Sequence, residues 1–327
     1  MIAYVIKSLA QAILVLLAVA LIAFSMFRFV GDPVANLVGQ EASQSDRQAL
    51  AERLGLNDPI IVQFGRFVAD VAQGEFGVSY RHGRKVSALI AEKLPATVEL
   101  AVLSALFAMV MGVIMGVYTA IRRNGWLSHF IMTTSLIGVS LPTFLIGIGL
   151  IYLFAVELRW LPSFGRGDTV KIGWWTTGLL TESGRRSLVM PVLTLAFFQL
   201  TLIMRLVRAQ MLETLRTDYV KFARARGLPE SRIHFKHALR NTLVPVVTIA
   251  GLQLGSVIAF AIVTESVFQW PGLGALFVQA VQFVDIPVMA AYLLFVAVVF
   301  VVVNLIVDLL YYVLDPRLAA GRVLTAK

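Results

Sequence analysis

Six separated stretches of this chain, at 9–30, 96–121, 130–156, 188–206, 243–263 and 288–314, are each long and apolar enough to cross a lipid bilayer. Crossing the hydrocarbon takes about 20 mostly apolar residues in a helix, because lipid offers an unpaired N–H or C=O no partner. The composition agrees, with 58% of the 327 residues hydrophobic and 14% charged, against about 25% charged in a soluble domain. Too few polar side chains remain to cover a water-facing globule, and disorder is excluded because it needs low hydrophobicity. The expected fold class is an all-α integral membrane protein with six transmembrane helices. Lys7 precedes the first stretch as it would a signal peptide. The apolar run, however, exceeds the about 7–15 residues of such a peptide and no small-x-small cleavage site follows, so it is read as a retained span.

Orientation follows from the basic residues, which are retained on the cytosolic side. The connection between the fourth and fifth stretches holds Arg205, Arg208, Arg216, Lys221, Arg224, Arg226, Arg232, Lys236 and Arg240 against Glu213, Asp218 and Glu230, an excess of 9 − 3 = +6. Lys7, Arg122, Arg123, Arg317, Arg322 and Lys327 fall on the same side, which places both termini in the cytosol. The connection 266–287 carries Asp285 and no Lys or Arg, as an outward loop should, whereas 157–187 holds five basic residues against three acidic and disagrees. Zero cysteines remove disulfides, thiol nucleophiles and thiolate metal sites. The net charge of +9 fits cytosolic retention better than nucleic-acid binding, because the basic loop is tied down between two spans.

Three parts are expected: residues 1–94, with the first span and a polar segment outside the membrane; residues 95–314, with five spans; and a tail at 315–327. The polar segment mixes both charge signs with Asp32-Pro33, Asn57-Asp58-Pro59 and Gly74-Glu75-Phe76-Gly77, which predicts short helices and turns. The loop at 207–242 is unusually long for a helix connection. Within it Tyr219, Phe222, Ala223 and Arg226 share one helical face at i, i+3, i+4 and i+7, and Gly227 stands where such a helix would stop. Pro229 then opens a second helix, with Glu230 suited to the positive end of its dipole. Small residues beside two aromatic rings suit docking onto a partner surface. A basic amphipathic helix on anionic lipid fits the same pattern.

Asp218-Tyr219-Val220 followed by Ala223-Arg224-Ala225-Arg226-Gly227, then His237-Ala238-Leu239-Arg240-Asn241 and Pro245, resembles the cytosolic coupling loop of ABC importer permeases, in the version of the dipeptide, oligopeptide and nickel permease family. Other segments agree in order and spacing: Gly31-Asp32-Pro33, Leu54-Gly55-Leu56-Asn57-Asp58-Pro59, Gly74 to Ser79, Leu161-Pro162, Glu265 to Gly274 and Asp315-Pro316-Arg317. Two departures stand out. Lys221-Phe222-Ala223 occupies the place of the superfamily's Glu-Ala-Ala, and the segment 166–187, with Trp174 and Trp175, is longer than in many members.

The resemblance implies a type I ABC importer permease architecture in a bacterial inner membrane, with an ABC transmembrane type-1 core at 95–314. It further implies half of a translocation path for peptides, or in the alternative for nickel, glutathione or another small solute. The implied partners are a second homologous permease, two cytosolic ATPases, an extracytoplasmic solute-binding protein and membrane lipid, with no nucleic acid. ATP would be used by the partner subunits, and this chain would need no cofactor or metal. The chain contains no Gly-Lys dipeptide, so a P-loop with its phosphate-binding lysine is impossible. Tyr219, Phe222, Ala223, Arg226 and Gly227 are the expected ATPase-coupling residues.

Glu99, Gln199, Gln253, Glu265, Asn304 and Asp308 are the polar groups expected within or beside hydrocarbon, where such residues face protein or water. Asn304 and Asp308, one turn apart, share a face along the path or between packed helices. Glu265, Trp270, Pro271, Gly272 and Gly274 form an outer gate or a brace between spans five and six. Pro142 is expected to kink the third span. The four histidines show no metal-ligand grouping. An ion-coupled secondary transporter would need a carboxylate or His relay near the midplane, whereas the Glu and Asp residues lie near span ends. An intramembrane hydrolase fits no better, since Gly138-Val139-Ser140-Leu141 lacks the following glycine and no His-Glu-x-x-His occurs.

Overall fold

The computed structural model describes residues 2–29, 44–45, 48, 52 and 57–314. Gly31-Asp32-Pro33, Leu54-Gly55-Leu56, the tail at 315–327 and the side chains of Lys7 and Asp308 lie outside the described residues. The protein is mostly helical. In chain order come α1 (Ile2–Phe29), α2 (Ile60–Ala72), α3 (Val86–Ile121), α4 (Trp126–Ser140) and α5 (Thr143–Leu150), the last continuing as a π-helix at Ile151–Glu157. A hairpin of β1 (Val170–Ile172) and β2 (Trp175–Thr177) follows, then α6 (Glu182–Thr214), α7 (Asp218–Ala225) and α8 (Glu230–Arg232). After α8 a π-helix at Ile233–Ala238 leads into α9 (Leu239–Val267), then α10 (Leu273–Gln282) and α11 (Ile286–Leu314). Among the described residues four helical segments qualify as spans by length and composition, Ser8–Phe27, Val86–Ile121, Glu182–Thr214 and Ile286–Val307, and the bent pair Trp126–Ser140 with Thr143–Glu157 makes a fifth if counted as one span.

The chain divides into two compact units, Met1–Thr97 with Pro271–Val301, and Val98–Trp270 with Val302–Lys327. In the described part of the first, α2 lies on α1 through an aromatic ladder, with Phe24 5.5 Å from Phe64 and Phe27 5.6 Å from Phe67 between ring centroids. Ala23, Ala290 and Leu294 are buried against these rings. Asp285 is buried, accepting from the Ser79 hydroxyl, from Tyr80 N at 3.1 Å and from Arg81 N at 3.3 Å. The connection 266–287, expected to face outward, contains a helix, α10, whose first amide, Leu273 N, donates to Thr97 Oγ1 at 2.7 Å.

In the second unit α3 and α6 meet at glycines. A Cβ added at Gly112 would lie 2.8 Å from Ile203 Cγ2, and one at Gly116 would lie 2.6 Å from Val207 Cβ. Both are closer than real Cβ atoms approach, so only glycine lets the backbones meet here, as at close-packed membrane helix pairs generally. Four residues forward on α3 is four residues forward on α6, so the two helices run parallel. Ala108, Ala196, Val207, Met211 and Val246 form the buried core around this seam.

The third expected span, 130–156, is not a kinked helix. α4 ends at Leu141, which is extended at φ −92°, ψ 136°, and α5 starts after Pro142 at an angle of 114° to it. Proline removes an N–H and pushes the preceding residue out of the helical region, and here the chain breaks the helix and restarts it in a new direction. Pro95, Pro191 and Pro245 sit inside α3, α6 and α9 without ending them.

Candidate functional site

The basic loop folds into a compact knuckle. Thr217, extended at ψ 155°, caps α7, and Asp218 in its first turn accepts from Lys221 Nζ at 2.8 Å. The helix stops at Gly227, whose φ of +74° is open to glycine and strained for other residues. Gly227 N donates to Arg224 O at 2.9 Å and Leu228 N to Ala223 O at 3.3 Å, the paired bonds of a Schellman stop. Leu228 closes over Ala223 in the same motif, and both join buried Val220 and Ile233 in a small apolar core. Pro229 stands one place before the second helix as its cap residue, with φ −64° and ψ 143°, rather than inside its first turn.

This geometry sorts the expected coupling residues. Ala223 is buried within the knuckle, away from the exposed aromatic rings, because the Schellman turn folds Leu228 back on it. Tyr219 (43% exposed) and Phe222 (64%) are exposed, as is Phe235 (60%), which the pattern did not single out. Phe235 lies on the π-helical turn after α8, beyond the periodicity used to read α7. The Arg226 guanidinium stands 5.7 Å from the Phe222 ring centroid, a cation–π distance. Tyr219 Oη accepts from Asn241 Nδ2 at 2.8 Å, so the first turn of α9 holds one edge of the aromatic face.

Arg224 spans the Gly227 turn to Glu230, Nε to Oε1 at 2.7 Å and Nη2 to Oε2 at 3.2 Å. That hydrogen bond from Arg224 holds the Glu230 carboxyl below the usual carboxylate range, and the same bond raises Arg224. Both partners are about half exposed, so the pair is worth about 0–1 kcal/mol. A carboxylate depressed by folding adds its full stability above its ordinary range and loses it as pH falls through the lowered folded value. Hydrogen exchange at residues 224–230 is therefore expected to be pH-independent in protection near neutrality and to lose protection only below the ordinary carboxylate range. Glu230→Gln should abolish that acid step.

A second polar centre lies in the same unit, where β2 meets α3. Glu99 on α3 and Arg166 are both buried, with side chains 3% and 8% exposed, and form an ion pair. Glu99 also accepts from Thr177 Oγ1 at 2.6 Å and Gly178 N at 3.1 Å. Arg166 donates onward to Thr176 Oγ1 at 3.0 Å and Thr176 O at 2.7 Å. Strand β2 is thus strapped to α3. Arg166 is one of the five basic residues that broke the orientation rule, and its charge is neutralised inside the protein. A basic residue on the unfavoured side, with an otherwise solitary carboxylate in a nearby span, was the signal available in the sequence.

Glu265 and Trp270 are fully buried, with Trp270 N donating to Glu265 O at 2.8 Å, and Phe268 O accepts from Gly165 N at 2.9 Å. Trp270 lies 5.8 Å from the Arg166 guanidinium, on the ring face. Gly272 and Gly274 are buried at the start of α10, with Gly272 as its cap residue, and Pro271 is exposed. Gln199 Nε2 donates to Gln253 O at 3.0 Å, tying α6 to α9. Asn304 is half-buried on α11.

The sequence profile described as binding-protein-dependent transport system inner membrane component matches residues 108–320. A second, described as binding-protein-dependent transport system membrane component, N-terminal, matches residues 1–101. The chain is 37% identical over 331 residues to the dipeptide transport system permease protein DppB of Alkalihalophilus pseudofirmus, covering 97% of this chain and 99% of the relative. It is 39% identical to the probable D,D-dipeptide transport system permease protein DdpB of Escherichia coli (94% and 95% covered). It is 38% identical to the oligopeptide transport system permease protein AppB of Bacillus subtilis (97% and 99%). Among solved structures, a chain of the inward-facing MetNI methionine ABC transporter superposes with a TM-score of 0.55 at 19% identity, covering 69% of this chain and 96% of that one. This last likeness is one of fold.

Proposed function

This chain belongs to the binding-protein-dependent transport system inner membrane component family, and on that premise we propose that it is one membrane subunit of an ATP-driven importer of di- or oligopeptides. Its place is the inner membrane, crossed six times with both termini in the cytosol, and residues 95–314 form its transport core. Support for the count comes from α3 and α6. Parallel helices in one membrane need an odd number of crossings between them, so the broken pair α4 and α5 counts once. With α1, α3, α6, α9 and α11 that makes six.

The observation that carries the coupling role is the knuckle: the exposed rings of Tyr219, Phe222 and Phe235 on a turn closed by a Schellman stop, in the segment that links α6 to α9. A cytosolic ATPase gripping this face would move both helices as it closes, and so bias the path between outward and inward access. Gly227 and Arg226 shape and frame the face, and Ala223 supports it from within. A second homologous permease supplies the other half of the path, two ATPase subunits supply the hydrolysis, and a solute-binding protein delivers the peptide. Glu265 and Trp270 brace the outer end of α9, and half-buried Asn304 belongs to helix packing on α11.

Co-expression with the neighbouring ATPase subunits tests the assignment. The chain is expected to bring them down, and vesicles containing the full assembly and a peptide-loaded binding protein should accumulate peptide only with ATP. Accumulation against a gradient by this chain alone would overturn the proposal.

A further inference from the structure

An apolar groove of about 440 Å³ runs between α3 and α6, lined by Leu, Val, Met and Phe side chains and by a single charged residue, Arg185. The volume falls within the about 300–1,000 Å³ of small-molecule sites. Its outer lip is open, since Leu106, Val110 and Val189 are exposed, while Leu188 closes its floor. Arg185 lies in the first turn of α6, at the end nearest the strapped hairpin. The basic side chains of this outer region are served unequally. Arg166 is paired with Glu99, and Arg186 reaches Trp160 O at 2.5 Å and Glu182 at 4.0 Å. Arg185 has a 3.4 Å bond to Leu179 O, and no described carboxylate lies within ion-pair distance of it.

We propose that this groove is a phospholipid site, in which one acyl chain lies along Leu106, Val110 and Val189 and the guanidinium of Arg185 takes the lipid phosphate. An apolar trough with one cation at its head matches an amphiphile that has an apolar tail and an anionic head. Guanidinium presents a planar fork that pairs phosphate oxygens two at a time. Trp160 and Trp174, both exposed on the same outer segment, are the residue type that settles at the headgroup level. The site also accounts for a basic residue on the unfavoured side of the membrane, because a lipid phosphate serves it there. The inference concerns lipid alone and stands whatever solute is carried.

The absence of cysteine allows a single reporter. In the assembled transporter in nanodiscs, Val189→Cys labelled with a small fluorophore is expected to be quenched by phosphatidylglycerol carrying a spin label on its acyl chain. Arg185→Gln should weaken that quenching about tenfold in lipid concentration, the value of one charge-assisted hydrogen bond, and Arg185→Lys should fall between. Inorganic phosphate should not displace the lipid. Equal quenching in the parent and in Arg185→Gln would overturn the site, as would displacement by inorganic phosphate. Cross-linking of the Val189→Cys thiol to the second permease subunit in place of lipid quenching would identify the groove as a protein interface and overturn it too.

Discussion

Replacing Arg166 with alanine is expected to free the β1–β2 hairpin while the membrane helices stay inserted. Glu99 would keep its bonds from Thr177 and Gly178 but would lose the only described cation beside a carboxylate whose side chain is 3% exposed. Breaking a buried pair from one side costs about 3–5 kcal/mol, because the remaining charge is stranded out of water. The cheapest relief is local. β2 lifts away, water reaches Glu99, and the hairpin's open fraction rises by two orders of magnitude or more. Hydrogen exchange at residues 170–181 and the emission of Trp174 and Trp175 report this directly. The double variant Glu99→Leu with Arg166→Met removes both charges and should recover most of the protection, since apolar replacement of a whole buried pair is often neutral or stabilising. Unchanged protection in Arg166→Ala would show that the pair does not hold the hairpin.

The second large effect is expected at Gly227, where valine should abolish ATP-driven uptake without preventing insertion. Space is not the obstacle, because a Cβ added here meets nothing within 4 Å. The obstacle is the backbone at φ +74°, where a β-branched residue is a true outlier, with a cost of about 1–2 kcal/mol or more. Relief requires undoing the Schellman stop, which moves Leu228 off Ala223 and dislocates the aromatic face from α9. Asparagine tolerates the left-handed region, so Gly227→Asn should retain uptake. The measurement is peptide accumulation beside ATP hydrolysis in the reconstituted assembly, with hydrolysis persisting and accumulation lost in Gly227→Val. If valine and asparagine behave alike, the turn does not transmit the ATPase motion.

Much of the knuckle was legible because its rules are local. A glycine after an apolar helical face, then proline and an acidic residue, encode a stop and a restart within ten positions, and the structure has both. The inward turn of Ala223 was not legible, because residue spacing along α7 cannot say which side Leu228 folds over. Asn241 and Tyr219 were both in recognised segments, yet their bond spans 22 positions and depends on how the π-helical turn delivers α9. Pro142 was read as a kink, and the break of 114° reflects packing after the restart, which proline permits but does not direct.

By itself the sequence determined that this chain is a helical membrane protein with a basic loop between its fourth and fifth apolar stretches and no Gly-Lys dipeptide for a P-loop. Bilayer thickness, the missing hydrogen-bond partners in lipid and the charge asymmetry act on composition and length alone. Only the tertiary structure decided that Glu99 meets Arg166, 67 positions away, that α3 and α6 lie parallel on two glycines, and that an apolar groove ends at Arg185. A membrane helix that is apolar all round has no hydrophobic face to fix its rotation. Which of its side chains touch which neighbour is therefore settled by packing shape and by the few polar groups that must find partners.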